Sequence, residues 1–339
     1  MSPKRAILSL AAASGLAALA RRASRRHLRI LCYHGLWVLP GEPFGECLFI
    51  TPEQFDARMA RLRRAGVPLL GLGEAVRRLA KGDLPPRATV VTIDDGWAST
   101  HSHMLPILER HEVPATLYST TWYSERDLPV VNVAVAWMLA AAGRPPTDCA
   151  QEIARIEGLP EEQRLAALRA LGATLGLDEA WLETCQFHLM RPDELADAQR
   201  RGLDIQLHTH RHINVTSQIG RLGEEIDANR ASLEAMLDGP ILEHFCYPSG
   251  TWHPDAAAIL AAKGVRSATL VTEGLNAPDA DAYALRRLLD GRHVGDVEFD
   301  AYLSGTLHYL SELRGLAGAV RGLRRTERPV GRAPAGYIG

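Results

Sequence analysis

The sequence predicts an α/β protein built on a parallel sheet, either open or closed into a barrel. Two observations carry this. Short apolar, often β-branched runs alternate with helix-like stretches along most of the 339 residues. Two of those runs end in clustered carboxylates or imidazoles, as expected at the C-terminal ends of parallel strands, where sites in α/β folds are built. Composition agrees with a globular chain: 46% of residues are hydrophobic and 23% charged. A net charge of −2 gives no global field toward nucleic acid. The five cysteines, Cys32, Cys47, Cys149, Cys185 and Cys246, show no C-x-x-C spacing, which argues against a disulfide framework or a cysteine zinc site and fits a reducing compartment.

In chain order, Leu28 to His34 reads as a strand, Pro40 to Ile50 as a loop, and Thr51 with Gln54 as a capping box opening a helix to about Arg64. Val67 to Gly71 reads as a short strand and Gly73 to Lys81 as a helix. Pro85 and Pro86 break the chain before Ala88 to Ile93, an apolar β-branched run fit for a buried strand. Ser99 is placed to cap a helix to about His111, and Pro114 to Thr120 forms the next strand. From residue 121 to 187 the rhythm changes to four helix-like stretches without strands, Val133 to Ala142, Asp148 to Glu157, Glu161 to Leu175 and Asp178 to Cys185. They form a helical insertion, either a structural cap or a lid. Alternation then resumes. Helices over Pro192 to Arg201, Ile219 to Leu237 and Pro254 to Lys263 separate strands at Leu203 to Leu207, Glu243 to Tyr247 and Ser267 to Thr272.

At the start, Lys4 and Arg5 precede an apolar run from Ala6 to Ala20, followed by Arg21, Arg22, Arg25 and Arg26. The run is short and alanine-rich for a membrane span, and arginines directly after it disfavour export. Residues 1–27 are therefore expected to form an uncleaved amphipathic helix, peripheral at the cytoplasmic side of the inner membrane, with an exported or anchored form as the alternative. Residues 28–315 are the expected domain, and 316–339 a tail, rich in Arg, Gly and Pro from Arg321 on.

Two stretches carry chemistry. Ala88 to Ile93 runs into Asp94, Asp95 and Gly96, and acids at the end of a buried strand are rare unless paired or metal-bound. The strand Leu203 to Leu207 runs into His208-Thr-His210-Arg-His212, three of the thirteen histidines within five residues. Two imidazoles and one carboxylate leave an open position on a zinc ion, the catalytic arrangement. No Glu follows His208, which argues against an H-E-x-x-H metalloprotease.

T-I-D-D-G at Thr92 to Gly96 resembles the first motif of the polysaccharide deacetylases, the NodB-homology family. H-T-H-R-H at His208 to His212 is similar to their second motif, and F-C-Y-P-S-G at Phe245 to Gly250 to their third. The resemblance covers roughly Leu28 to Leu307. It implies a distorted (β/α) barrel of about seven strands with the helical insertion set between the first two motifs. It implies one divalent metal ion, Zn2+ being the expected one, held by Asp95, His208 and His212, with His210 outside the ligand set. Asp94 would be the general base, and Ser249, through its backbone N–H, and Tyr247 would face the oxyanion or substrate. The implied substrate is an N-acetylhexosamine-containing glycan or glycolipid of the bacterial cell envelope, or its precursor.

The sequence departs from the family at two places. Cys246 stands where the third motif carries an arginine, and Arg286 or Arg287 is the expected substitute. The last motif's histidine is represented either by His308 or by His34 in L-C-Y-H-G; the latter resembles the circularly permuted poly-N-acetylglucosamine deacetylases, and His34 is preferred as general acid. Trp97 and Trp252 read as core or as substrate wall. His101 and His103 read as solvated, Arg61, Arg63 and Arg64 as an exposed helix face, and His188 has no evident partner. Two rival readings stay open: an amidohydrolase-like hydrolase using His208 and His210 as an H-x-H pair, and a glycan-binding module that has lost catalysis.

Overall fold

A computed structural model describes residues 3–313. Strands β1 (Arg29–Tyr33), β2 (Gly35–Leu36), β3 (Phe49–Ile50), β4 (Thr89–Asp95), β5 (Ala115–Ser119), β6 (Asp204–Leu207), β7 (His244–Cys246), β8 (Ser267–Thr269) and β9 (Leu288–Leu289) occur in that order. Seven of them form one parallel sheet ordered β8-β7-β6-β5-β4-β1-β9, and β2 pairs with β3 alone. The sheet curls into a barrel. One segment closes it: Leu285 bridges Thr269 of β8, and Leu288 and Leu289 pair with Leu31 and Cys32 of β1. Every residue of β4, an interior strand between β5 and β1, is buried, as its apolar β-branched sequence requires.

The helices are α1 (Pro3–Ala13), α2 (Leu16–Ala23), α3 (Pro52–Ala65), α4 (Leu72–Lys81), α5 (Leu105–Arg110), α6 (Val131–Ala141), α7 (Thr147–Glu157), α8 (Glu161–Thr174), α9 (Ala180–Glu183), α10 (Pro192–Arg200), α11 (Leu222–Met236), α12 (Ala256–Ala262) and α13 (Asp296–Leu303). Helices α6 to α9 are the insertion. They have a core of their own, where Val135, Met138, Leu168 and Trp181 meet Trp37, Phe49 and Trp97 from the barrel side. The main core lies between the sheet and its outer helices, with Phe55 and Met59 of α3 and Phe299 of α13 against Leu31, Ile93 and Leu117.

Several elements differ from what local sequence implies. Thr51 Oγ1 accepts from Gln54 N–H at 3.1 Å, but the Gln54 amide donates to Gly291 O instead of returning to the cap, so the capping box is half made. Ser99 does not cap a helix: its Oγ accepts from Leu36 N–H, and the helix begins with a π-type turn at Thr100–Met104. The expected strand at Val67 to Gly71 reduces to one bridge between Leu69 and Thr89. Strand β9 and helix α13 were not legible, since two strand residues carry no periodicity. The tail expected over 316–339 lies outside the described residues.

The N-terminal segment is two helices bent by 86°, and no single helix is long and apolar enough to cross a membrane. Leu8 and Ala11 of α1 are buried, and Arg5 Nε donates to Glu298 Oε1 of α13 at 3.0 Å. The join to the barrel is made by Arg29, fully buried at the start of β1. Its guanidinium donates to Leu303 O at 2.8 Å, His27 O at 2.9 Å and Ser24 Oγ at 2.9 Å. Burial lowers its pKa to about 10. We expect Arg29→Met to lower stability by about 2–4 kcal/mol, because it leaves buried carbonyls without donors. Chemical denaturation followed by circular dichroism checks this, and an unchanged midpoint would show that the arginine is not the anchor.

Candidate active site

The site forms where β4 and β6 end. Asp94 is the last inward-facing residue of β4 and is 2% exposed. Arg287, from the barrel-closing segment, grips it with both guanidinium nitrogens: Nη1 donates to Oδ1 and Nη2 to Oδ2, each at 2.7 Å. The Cys32 and Cys246 thiols donate to the same Oδ2 at 3.4 and 3.3 Å. Burial disfavours the charged carboxyl, but the guanidinium outweighs it and holds Asp94 at about 2. Cys246 therefore does not leave the carboxylate unsupported; the arginine arrives from the segment that leads into β9. Arg286 takes no part, since it is ion-paired with Glu312 at 3.0 Å.

Asp95 follows in a left-handed conformation, φ 72°, which turns its side chain to the other side. Its Oδ1 meets His208 Nε2 at 3.2 Å and His212 Nε2 at 3.4 Å, and its Oδ2 accepts from the Trp97 indole N–H at 2.8 Å. Burial opposes ionisation, but the two imidazoles override it and Asp95 lies well below the ordinary carboxylate range. His208 is oriented from behind. Its Nδ1 donates to Cys246 O at 2.8 Å, which leaves Nε2 facing Asp95. Its backbone N–H donates to Asn229 Oδ1 at 2.9 Å, and Arg211 N–H donates to Glu225 Oε2 at 2.8 Å, so α11 braces the histidine loop.

Three clusters among the described residues have metal-ligating atoms within 4.8 Å of one another: Asp95–His208–His212, Asp94–His208–Cys246 and Cys32–His34–Asp94. The donor set of the first fits a divalent ion. The other two share Asp94, already held by a cationic guanidinium, and their thiols do not line the cavity above the site. That cavity, about 280 Å³, has His34, Asp94, Asp95, His208, His212 and Ser249 on its floor and Val133 and Ala136 of α6, with Phe44 and Leu48, on its walls.

His34 is buried with Nε2 3.9 Å from Asp94 Oδ2. Burial pushes its pKa down, against the pull of the two aspartates. His308 is elsewhere, its ring 5.8 Å from that of His27. His210 turns away from Asp95, with Nδ1 2.8 Å from Thr121 Oγ1, so the H-x-H pairing of the amidohydrolase-like reading is not formed. Ser249 lines the cavity in a left-handed conformation, φ 52°, fixed by Gly250, where a Cβ would stand 2.1 Å from Val271 Cγ2. Tyr247 is not brought to the cavity: its hydroxyl donates to Tyr283 O at 3.1 Å and its ring packs on Phe245, because its side chain falls on the core side of the strand end.

A family model described as polysaccharide deacetylase matches residues 81–268, more than half of the chain. The chain belongs to the polysaccharide deacetylase family. It is accordingly a glycan N-deacetylase, a hydrolase. Solved structures share the fold of this deacetylase. The Streptococcus pyogenes deacetylase PplD in complex with acetate has a TM-score of 0.58 at 15% identity, over 82% of this chain and 98% of that one. The de-N-acetylase from Aggregatibacter actinomycetemcomitans has 0.56 at 15% identity, over 81% and 99%. IcaB from Ammonifex degensii has 0.54 at 21% identity, over 82% and 97%. None of the curated proteins matches the sequence.

Other expectations change. Trp97 belongs both to the insertion core and to the cavity wall, whereas Trp252 is 45% exposed and is not core. His101 is not solvated but meets Asp197 Oδ2 at 2.9 Å. Sequence reading missed Asn229 and Glu225, although two buried polar residues on the apolar side of one helix are a signal of a bracing role.

Two predictions follow from this geometry. His212→Ala is expected to abolish binding of added Zn2+ while His210→Ala keeps it, measured by isothermal titration; the reverse result favours the H-x-H pair. Arg287→Ala leaves a buried carboxylate without its counter-charge and should cost about 3–5 kcal/mol of stability. Because Asp94 is then raised by burial alone, the acid limb of the rate profile should move to higher pH. An unmoved limb and unchanged unfolding would remove Arg287 from its role.

Proposed function

We propose that this deacetylase is metal-dependent, that Asp95, His208 and His212 hold the ion, with Zn2+ the expected one, and that its substrate is an N-acetylated amino sugar of a bacterial cell-envelope polysaccharide, glycolipid or precursor. The observation that carries this reading is the convergence of two imidazole Nε2 atoms on one oxygen of Asp95, beside a second carboxylate held ionised by Arg287. A divalent cation held by Asp95, His208 and His212 would supply Lewis acidity, polarising an amide carbonyl and lowering the pKa of a water toward neutrality.

The protein's own groups divide the remaining tasks. Asp94, ionised throughout the physiological range, takes the proton as water adds to the amide carbonyl. A carboxyl held at about 2 keeps that proton only briefly, and the buried His34 imidazole, 3.9 Å away, is the adjacent acceptor. His34 then delivers the proton to the departing amine, which resets both groups. This role for a histidine on β1 belongs with a circularly permuted arrangement of the family motifs, and its support is that His34 reaches the cavity while His308 does not. Ser249, through its backbone N–H in the Pro-Ser-Gly turn, is assigned to the oxyanion. The arginines after the first apolar run support a cytoplasmic location, peripheral at the inner membrane.

Acetate release from N-acetylglucosamine oligomers and from a lipid-linked N-acetylhexosamine, with and without added Zn2+, tests the reading. Release that requires the ion is expected, and Asp94→Asn should reduce it by about 10²–10⁴-fold with metal content unchanged. Metal bound with no release across both substrates would instead identify a glycan-binding module.

A further inference from the structure

Four of the eight exposed large apolar side chains among the described residues fall within the first 19: Ile7 at 45%, Leu10 at 70%, Leu16 at 55% and Leu19 at 64% exposed. They are not residues awaiting burial in the barrel. Leu8 and Ala11 already fill the side of α1 that meets α13, and Ile7 and Leu10, three residues apart, face outward. Leu16 and Leu19 repeat the spacing on α2, whose Ala20 is buried. Arg21, Arg22, Arg25 and Arg26 follow at once, all exposed, and none forms an ion pair among the described residues.

We propose that this bent pair of helices docks the enzyme on an anionic bilayer surface. Neither arm, of 11 and 8 residues, is long enough to span by itself, and aliphatic side chains beside a cluster of arginines are the composition of a helix lying in the headgroup layer. Charge decides against the other occupants. A second copy would bring four arginines against four. The chain's own residues 314–339 hold six arginines and one glutamate, so they add to the positive field instead of neutralising it. A protein interface of hot-spot type would be expected to offer aromatic anchors, and no Phe, Trp or Tyr precedes Tyr33. Helix α2 leads into β1 at the end of the sheet opposite the cavity, so lipid contact leaves the active site open.

Flotation of the full chain with phosphatidylcholine vesicles, with or without about one-third phosphatidylglycerol, at about 0.1 M salt, tests this. Binding is expected only with the anionic lipid. Arg21→Gln, Arg22→Gln, Arg25→Gln and Arg26→Gln together should weaken it roughly a thousandfold, at about 1 kcal/mol each, and Leu10→Glu with Leu16→Glu should abolish it. Both variants should keep wild-type acetate release from a soluble oligomer, which shows that the fold is intact. Absence of flotation, flotation that neither variant changes, a concentration-dependent dimer abolished by the leucine substitutions, or a mature protein lacking residues 1–20 by intact mass would each overturn the proposal.

Discussion

The bidentate contact between Asp94 and Arg287 is the constraint around which the active site is arranged. Ionised side chains inside a protein cost several kcal/mol each unless the geometry of the pair is good and the remaining lone pairs are satisfied. Here both conditions are met: two 2.7 Å bonds, two thiol donors and complete burial. The pair also has a topological role. Arg287 lies between Leu285, bridged to Thr269 of β8, and Leu288, paired with β1, so the guanidinium enters the barrel at the seam where the sheet closes. Ionisation of Asp94 and closure of the barrel therefore depend on one short segment.

With Asp94 committed to this contact, its neighbour is free for another. The left-handed turn at Asp95 sends two adjacent carboxylates to opposite partners, one to a fixed cation and one to a pair of imidazoles. Environment, not residue type, separates their roles. The same principle removes His210 from the set, because Thr121 claims the middle ring of the H-T-H-R-H stretch.

Most of the sheet and both chemical stretches were legible in the sequence, for a physical reason. A buried parallel strand must be apolar along its whole length, and an abrupt change to charge at its end has few structural explanations. Asp94, Asp95, His208 and His212 stood out on that ground. The groups that hold them did not. Arg287 immediately precedes a two-residue strand with no periodicity, its equally basic neighbour Arg286 points to Glu312, and only closure of the sheet distinguishes them. Tyr247 looked like part of a substrate loop because the motif around it is, yet its hydroxyl is consumed by Tyr283 O. Asn229 and Glu225 act at a distance of a dozen or more residues from the atoms they orient, beyond any local pattern.

Trp97 joins two parts of the molecule that are otherwise separate. Its ring is packed among Phe49 and the apolar side chains of the helical insertion, and its indole N–H fixes the outer oxygen of Asp95. Linkage makes such a joint reciprocal. Whatever tightens the grip on that carboxylate also orders the helices above it, and a loosened insertion releases the carboxylate in turn. The insertion, which contributes none of the three side chains that converge at Asp95, thus bears on how firmly an ion there would be kept.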